Sequence, residues 1–310
     1  MSECRSVFIS FAVFPLLYLF LILLTRLYII NFTRRCVILI DSHCHLYDPD
    51  FESDLDAVMM RAFSEGLSGI IVSGTDFHKN EKAIRMCRRA ADARSFGKSI
   101  PWVRATVGLS PFLAADGDDA LIDETLRSLG PLFSDDSVVG IGECGLDHFY
   151  YKDAAVCTRQ KAVFERVIAL AAETGLPLVI HGRDAESDCL DLVTSYGLKK
   201  VVFHSYGGSL ETMRRILDRG YFISLSTLVC TSSRHKELAR AVDPSRLFLE
   251  TDSPYLSPRK MKGFPRNEPS FIADSFKKVA SLTGLSVKEL SDLTDQNVME
   301  FFEIGSPGVD

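Results

Sequence analysis

Two histidines stand two positions apart in Asp41-Ser42-His43-Cys44-His45, directly after an apolar run. On extended backbone alternate residues point to the same side, so both imidazoles can reach one metal ion. Taken alone, such a pair is a weak sign of a metal site. Four more residues strengthen it, because Glu143, His181, His204 and Asp252 each close a further short apolar run. Four imidazoles and two carboxylates make a mixed nitrogen and oxygen donor set that suits zinc or manganese and accepts magnesium in part. Four donors normally serve one ion. Six donors, one of them a carboxylate able to bridge, fit two divalent ions roughly 3.5 to 4 Å apart, the arrangement of a two-metal hydrolase.

The elements that must position these residues follow a single theme, a β-branched apolar run followed by a helix-like stretch. The runs are 37–41, 69–73, 103–108, 138–143, 177–181, 201–204, 221–226 and 247–252. Continuous rather than alternating apolar character is what strands buried on both faces require, and amphipathic crossovers such as 159–174 imply parallel pairing. Eight units predict an α/β fold, a (β/α)8 TIM barrel, in which catalytic groups sit at the C-terminal ends of the strands. All six candidate ligands occupy such ends. The rival fold, an open nucleotide-binding sheet, lacks support because neither a GxGxxG turn nor a P-loop lysine motif is present. Gly175, Leu176 and Pro177 mark a helix stop before the fifth strand, and 269–302 reads as two helices closing the barrel.

The 310 residues divide into an N-terminal hydrophobic segment, 1–36, and one catalytic domain, 37–305. A barrel needs roughly 250 residues, which the second part supplies. Residues 6–25 carry no charge and approach the length that crosses a bilayer, with Arg26, Arg34 and Arg35 following. The expectation is a membrane anchor that leaves the barrel facing the cytosol; an inert extension and a cleaved signal are the alternatives. The eight cysteines form no CxxC pair and read as free thiols in a reducing compartment. A net charge of -6 excludes a global basic footprint for nucleic acid, so any such binding must be local to the site.

With those stretches in view, IDSHCHL at 40–46, GIGECGLD at 140–147, LVIHGRDA at 178–185, ETDSPYL at 250–256 and RNEP at 266–269, the chain resembles the TatD-related metal-dependent deoxyribonuclease family of amidohydrolase-like barrels. The resemblance implies that His43, His45 and Asp252 hold one metal, His181 and His204 the other, and that Glu143 bridges them. It also implies a nuclease on DNA, in several members an exonuclease acting from the 3′ end. Asp252 is then the expected general base, with Glu143 beside it in the catalytic pair.

Around the ligands, Arg183 and Arg266 are candidate phosphate contacts, with salt bridges between rim loops as the alternative. Asp147 is expected either to orient a ligand or touch substrate, or to be an ordinary loop carboxylate. Asp41 is expected to orient the His43 and His45 imidazoles. His78 and His148 read as solvated loop residues, and His235 lies in a charged helical run. Ser110 departs from the family pattern, which often has histidine there. A metal-activated water also attacks carbonyl carbon, so an ester or amide hydrolase, such as an aminoacyl-tRNA deacylase, is one alternative. An inactive membrane-anchored scaffold is another.

Overall fold

In a computed structural model, residues 38–258 and 266–305 are described. Eight parallel strands occur in sequential order: β1 (Leu39–Cys44), β2 (Leu67–Ser73), β3 (Trp102–Val107), β4 (Val138–Asp147), β5 (Leu178–Arg183), β6 (Val201–Phe203), β7 (Phe222–Leu225) and β8 (Leu247–Leu249). Helices α1 (Leu55–Ser64), α2 (Phe77–Ser95), α3 (Pro111–Asp116), α4 (Asp119–Leu132), α5 (Ala154–Thr174), α6 (Glu186–Ser195), α7 (Leu210–Asp218) and α8 (Ser233–Ala241) alternate with them. α9 (Ile272–Thr283) and α10 (Val287–Phe301) follow β8. This is the expected TIM barrel.

The last seam closes at its upper end. The Asp252 N–H donates to the His43 carbonyl at 2.9 Å and the His45 N–H to the Ser253 carbonyl at 2.8 Å, joining the chain after β8 to β1. Asp41 strengthens that seam. Fully buried, its carboxylate accepts from the Thr251 N–H and hydroxyl at 2.9 and 2.6 Å.

The opposite end of the barrel is dry. Ile40, Ile71, Trp102, Val139, Val179, Val202, Phe222 and Phe248, one residue from each strand, pack with Phe301 and Phe302 at the end of α10. Gly69 makes room for the largest of them, since a Cβ there would meet the Trp102 ring at 2.0 Å. Apolar residues fill one end and donors the other. A rigid floor thus holds the strand ends on which the chemistry depends.

The sequence-predicted strands all appear, and two of them run further than expected. β1 does not stop at Asp41 but runs through Cys44, with its pairing to β2 changing register between Asp41 and Cys44. β4 likewise shifts register between Ile141 and Cys144 and continues to Asp147. Such irregularities re-aim side chains at a barrel rim. Gly175 caps α5 in the left-handed conformation, φ 72°, as expected. Among the described residues no helix is long and apolar enough to cross a membrane. The expected span at 6–25 lies outside the described residues, which lend the anchor no support.

Candidate metal centre

At the upper rim the structure brings all six predicted ligands together. His43 ends its reach at Nε2, 3.3 Å from His45 Nε2, and both nitrogens face Glu143 Oε2 at 3.5 and 3.4 Å. Asp252 Oδ1 completes that group, 3.7 Å from His43 and 3.3 Å from His45. On the other side His181 Nδ1 and His204 Nε2 lie 3.4 Å apart and face Glu143 Oε1 at 3.1 and 3.6 Å. The two oxygens of Glu143 therefore look at different histidine pairs.

These spacings test whether the donors fit cations. Donors placed about 2.1 Å from a tetrahedral ion are separated by about 3.4 Å along each edge, so donor pairs at 3.1 to 3.7 Å already form the edges of coordination polyhedra. A second observation agrees. Every imidazole of the cluster has its other nitrogen held: His43 Nδ1 by Ser73 Oγ at 3.0 Å, His45 Nδ1 by the Ser73 carbonyl at 2.9 Å, His181 Nε2 by Asp147 Oδ2 at 2.9 Å, and His204 Nδ1 by Glu250 Oε1 at 3.3 Å. Such anchoring fixes tautomer and ring direction in metal sites.

The backbone is shaped to the same end. Asp252 adopts φ 55°, an uncommon conformation for a non-glycine residue that aims its carboxylate inward. Gly145 follows Glu143 with φ 134°, and a Cβ there would meet the His181 carbonyl oxygen at 2.1 Å. Only glycine lets β4 and β5 approach closely enough to seat Glu143 and His181 together.

Electrostatically the cluster is self-compensating. Burial alone would raise the Glu143 carboxyl, but hydrogen bonds from His181, His204 and His43 hold it well below the usual carboxylate range. Burial alone would likewise discharge His204, yet its bonds to Glu143 and Glu250 push it well above its ordinary value. Asp252, opposed by burial, is held low by His45 and by the charges of His43 and His204. His43 goes the other way, lowered by burial and by the charge of His204. A metal ion requires the neutral ring, so protons and cations compete for the raised imidazoles.

Asp147 takes the expected orienting position: rather than lying in an exposed loop it ends β4, is fully buried, accepts from the Tyr150 N–H at 2.8 Å and meets His181 Nε2 at 2.9 Å. Other expected roles change. Asp41 does not orient the imidazoles, because its oxygens are taken by Thr251 and, at 3.4 Å, by the His43 N–H. The Arg266 guanidinium is bound to both Asp54 oxygens at 2.7 and 2.9 Å and covers Phe51, the rim salt bridge expected as the alternative to phosphate contact. Arg183 is exposed at the rim beside the site, over the Phe149 ring at 4.0 Å. Ser110 serves as N-cap of α3. His148 is part-buried and 3.7 Å from Asp188, His78 lies in the first turn of α2, and His235 is buried in α8 with Nδ1 on Ser232.

Sequence reasoning passed over Ser73 and Glu250. Glu250 carried a usable sign, a carboxylate two residues before a ligand at the end of a strand. Ser73, the last residue of β2, carried none, since its carbonyl and hydroxyl act on different histidines.

A cavity of about 280 Å³ opens over the second histidine pair, lined among others by Phe149, His181, Arg183, His204, Asp252 and His235. A barrel with this donor set at its rim has the frame of a metal-dependent hydrolase. The sequence matches the TatD related DNase family over residues 40–303, and the chain belongs to that family. It is 33% identical over 272 residues to the 3′-5′ ssDNA/RNA exonuclease TatD of Enterobacter lignolyticus, covering 85% of this chain and 98% of the relative. It is 31% identical over 270 residues to an uncharacterized metal-dependent hydrolase of Bacillus subtilis, covering 86% and 99%. Among solved structures, a hydrolase TatD family protein from Entamoeba histolytica superposes with a TM-score of 0.73 at 26% identity, covering 85% of this chain and 97% of that one.

Proposed function

We propose that the chain is a two-metal phosphodiesterase that shortens single-stranded nucleic acid, DNA foremost, from the 3′ end. The observation that carries this reading is Glu143, whose two oxygens face separate histidine pairs at 3.4 to 3.5 Å and 3.1 to 3.6 Å. His43, His45 and Asp252 would hold one divalent ion, His181 and His204 the other, with Glu143 between them. Bound there, zinc, manganese or magnesium would supply a water acidified towards neutrality and positive charge opposite the phosphoryl oxygens.

The chain's own residues do the remaining work. Asp252 is the more open of the two acids, its side chain 14% exposed against 6% for Glu143, so it is the group placed to take a proton from water. Glu143 stays ionised between the imidazoles and fixes their separation. Asp147 and Glu250 hold His181 and His204 in line, so little reorganisation is needed as charge develops on phosphate. Arg183 stands at the mouth, where a guanidinium can meet a phosphate of the strand. Family membership favours neither the deacylase nor the scaffold alternative, and the complete donor set opposes the latter. The free thiols among the described residues accord with the proposed reducing, cytosol-facing location.

The test is release of nucleotides from a 5′-labelled single-stranded oligonucleotide, with each divalent metal, beside hydrolysis of carboxylic esters. Stepwise shortening from the 3′ end is expected. Ester hydrolysis without strand shortening under every metal would overturn the reading.

A further inference from the structure

The loop after β4 and the start of α3 expose aromatic rings in one patch beside the second histidine pair. Phe112 is 37% exposed, Phe149 44% and Tyr150 60%. The Phe112 ring lies 5.5 Å from that of His181 and 6.1 Å from that of Tyr150. Tyr150 lies edge-on to Phe149 at 4.9 Å, and the Arg183 guanidinium sits over Phe149 at 4.0 Å and faces Tyr150 at 5.0 Å. A shelf of rings in edge-to-face and tilted contact thus leads from solvent to the His181 imidazole. Packing among the rings does not account for it, because each stays more than a third exposed to water, where large apolar surface is unfavourable.

Resting on the strand-shortening reading above, we infer that Phe112, Phe149 and Tyr150, with Arg183 between the last two, form the platform on which unpaired bases next to the scissile phosphate stack. Aromatic side chains and arginine planes bind bases of single strands in this way, with little dependence on sequence. The chain's net charge of -6 makes the platform more important, because backbone electrostatics outside the site are unfavourable to a polyanion. It also accounts for what stands near Ser110. That residue is spent on capping α3, and the helix it starts presents Phe112 to the site instead. A base paired in a duplex has no free face for the shelf, so the platform selects single strands.

The experiment is a cycle between protein and substrate with the metal-loaded full chain. KM and kcat are measured for an oligonucleotide and for the same strand with abasic sites in place of its last three bases, using wild type, Tyr150→Ala, Phe149→Ala and Tyr150→Trp. The wild type should lose about tenfold in KM when the bases are removed, the worth of one stacked base. Each alanine variant should raise KM for the normal strand by a similar factor, with kcat nearly unchanged and only a small further rise on the abasic strand. Tyr150→Trp should keep the wild-type KM. Fully additive losses, or alanine variants with wild-type KM, would overturn the platform while leaving the nuclease reading intact. Should the wild type shorten no strand at all, the nuclease reading fails; the platform is then decided by fluorescence of a 2-aminopurine oligonucleotide. Quenching that Tyr150→Ala abolishes supports it, and unquenched fluorescence rejects it.

Discussion

In the proposed two-ion site, Glu250 is the residue through which the His181 and His204 half can be weakened without replacing either histidine. It is 1% exposed, its Oε1 faces His204 Nδ1 at 3.3 Å, and its other oxygen accepts from the Ser224 hydroxyl. Glu250→Gln preserves shape and one acceptor but removes the charge. A hydrogen bond to a charged group contributes about 1.5 to 3 kcal/mol and a neutral one about 0.5 to 1.5, so the change costs about 1 to 1.5 kcal/mol. That is about five- to thirteen-fold in the affinity of the ion that His204 would hold, overlapping the low end of the roughly 10- to 100-fold range found for outer partners of metal ligands. Competition with a chromophoric chelator resolves the two binding steps. One step should weaken by that factor while the step assigned to His43, His45 and Asp252 stays within about twofold. Equal weakening of both steps, or of neither in a protein whose circular dichroism is unchanged, would refute the reasoning.

Three further outcomes follow from the same geometry. Gly145→Ala places a Cβ at 2.1 Å from the His181 carbonyl oxygen with φ 134°, so it should cost about 3 kcal/mol or more by thermal unfolding and reduce bound metal in elemental analysis. Arg266→Ala should lower Tm with little change in KM, whereas Arg183→Ala should raise KM with Tm unchanged. Since Arg266 holds the Asp54 carboxyl down to about 2, the Arg266 stability difference should be present above pH about 4 and fade as pH falls towards 2. Finally, burial notwithstanding, Asp147 and Glu143 raise His181, and Glu143 and Glu250 raise His204, which favours the protonated rings when no metal is bound. Metal binding should therefore release protons and tighten as pH rises. Calorimetry in buffers of different ionisation enthalpy would show this, and buffer-independent heats would contradict it.

The fold was legible because parallel strands buried on both faces write continuous apolar runs, and all eight runs correspond to strands. The ligands were legible for a related reason, since each stands where such a run gives way to polar residues. What stayed hidden depends on where one strand meets another. His43 was expected beyond the end of β1, yet it lies within the strand, because a register shift between Asp41 and Cys44 re-aims the chain. Asp147 read as an equivocal loop carboxylate because nothing local shows that β4 runs ten residues and buries its last one. Asp41 read as a histidine partner because it is near in sequence. In space Thr251, from the other end of the chain, takes its oxygens. Arg266 looked available to phosphate because Asp54, its partner, is more than two hundred positions away.

A pair of ions with Glu143 between them is tested most directly by diffraction from manganese- or zinc-loaded crystals, recorded at the metal absorption edge. Two anomalous peaks about 3.5 to 4 Å apart are expected, one beside His43, His45 and Asp252 and one beside His181 and His204, with a Glu143 oxygen on each. A single peak at full metal loading, or ions bound away from Glu143, would contradict it.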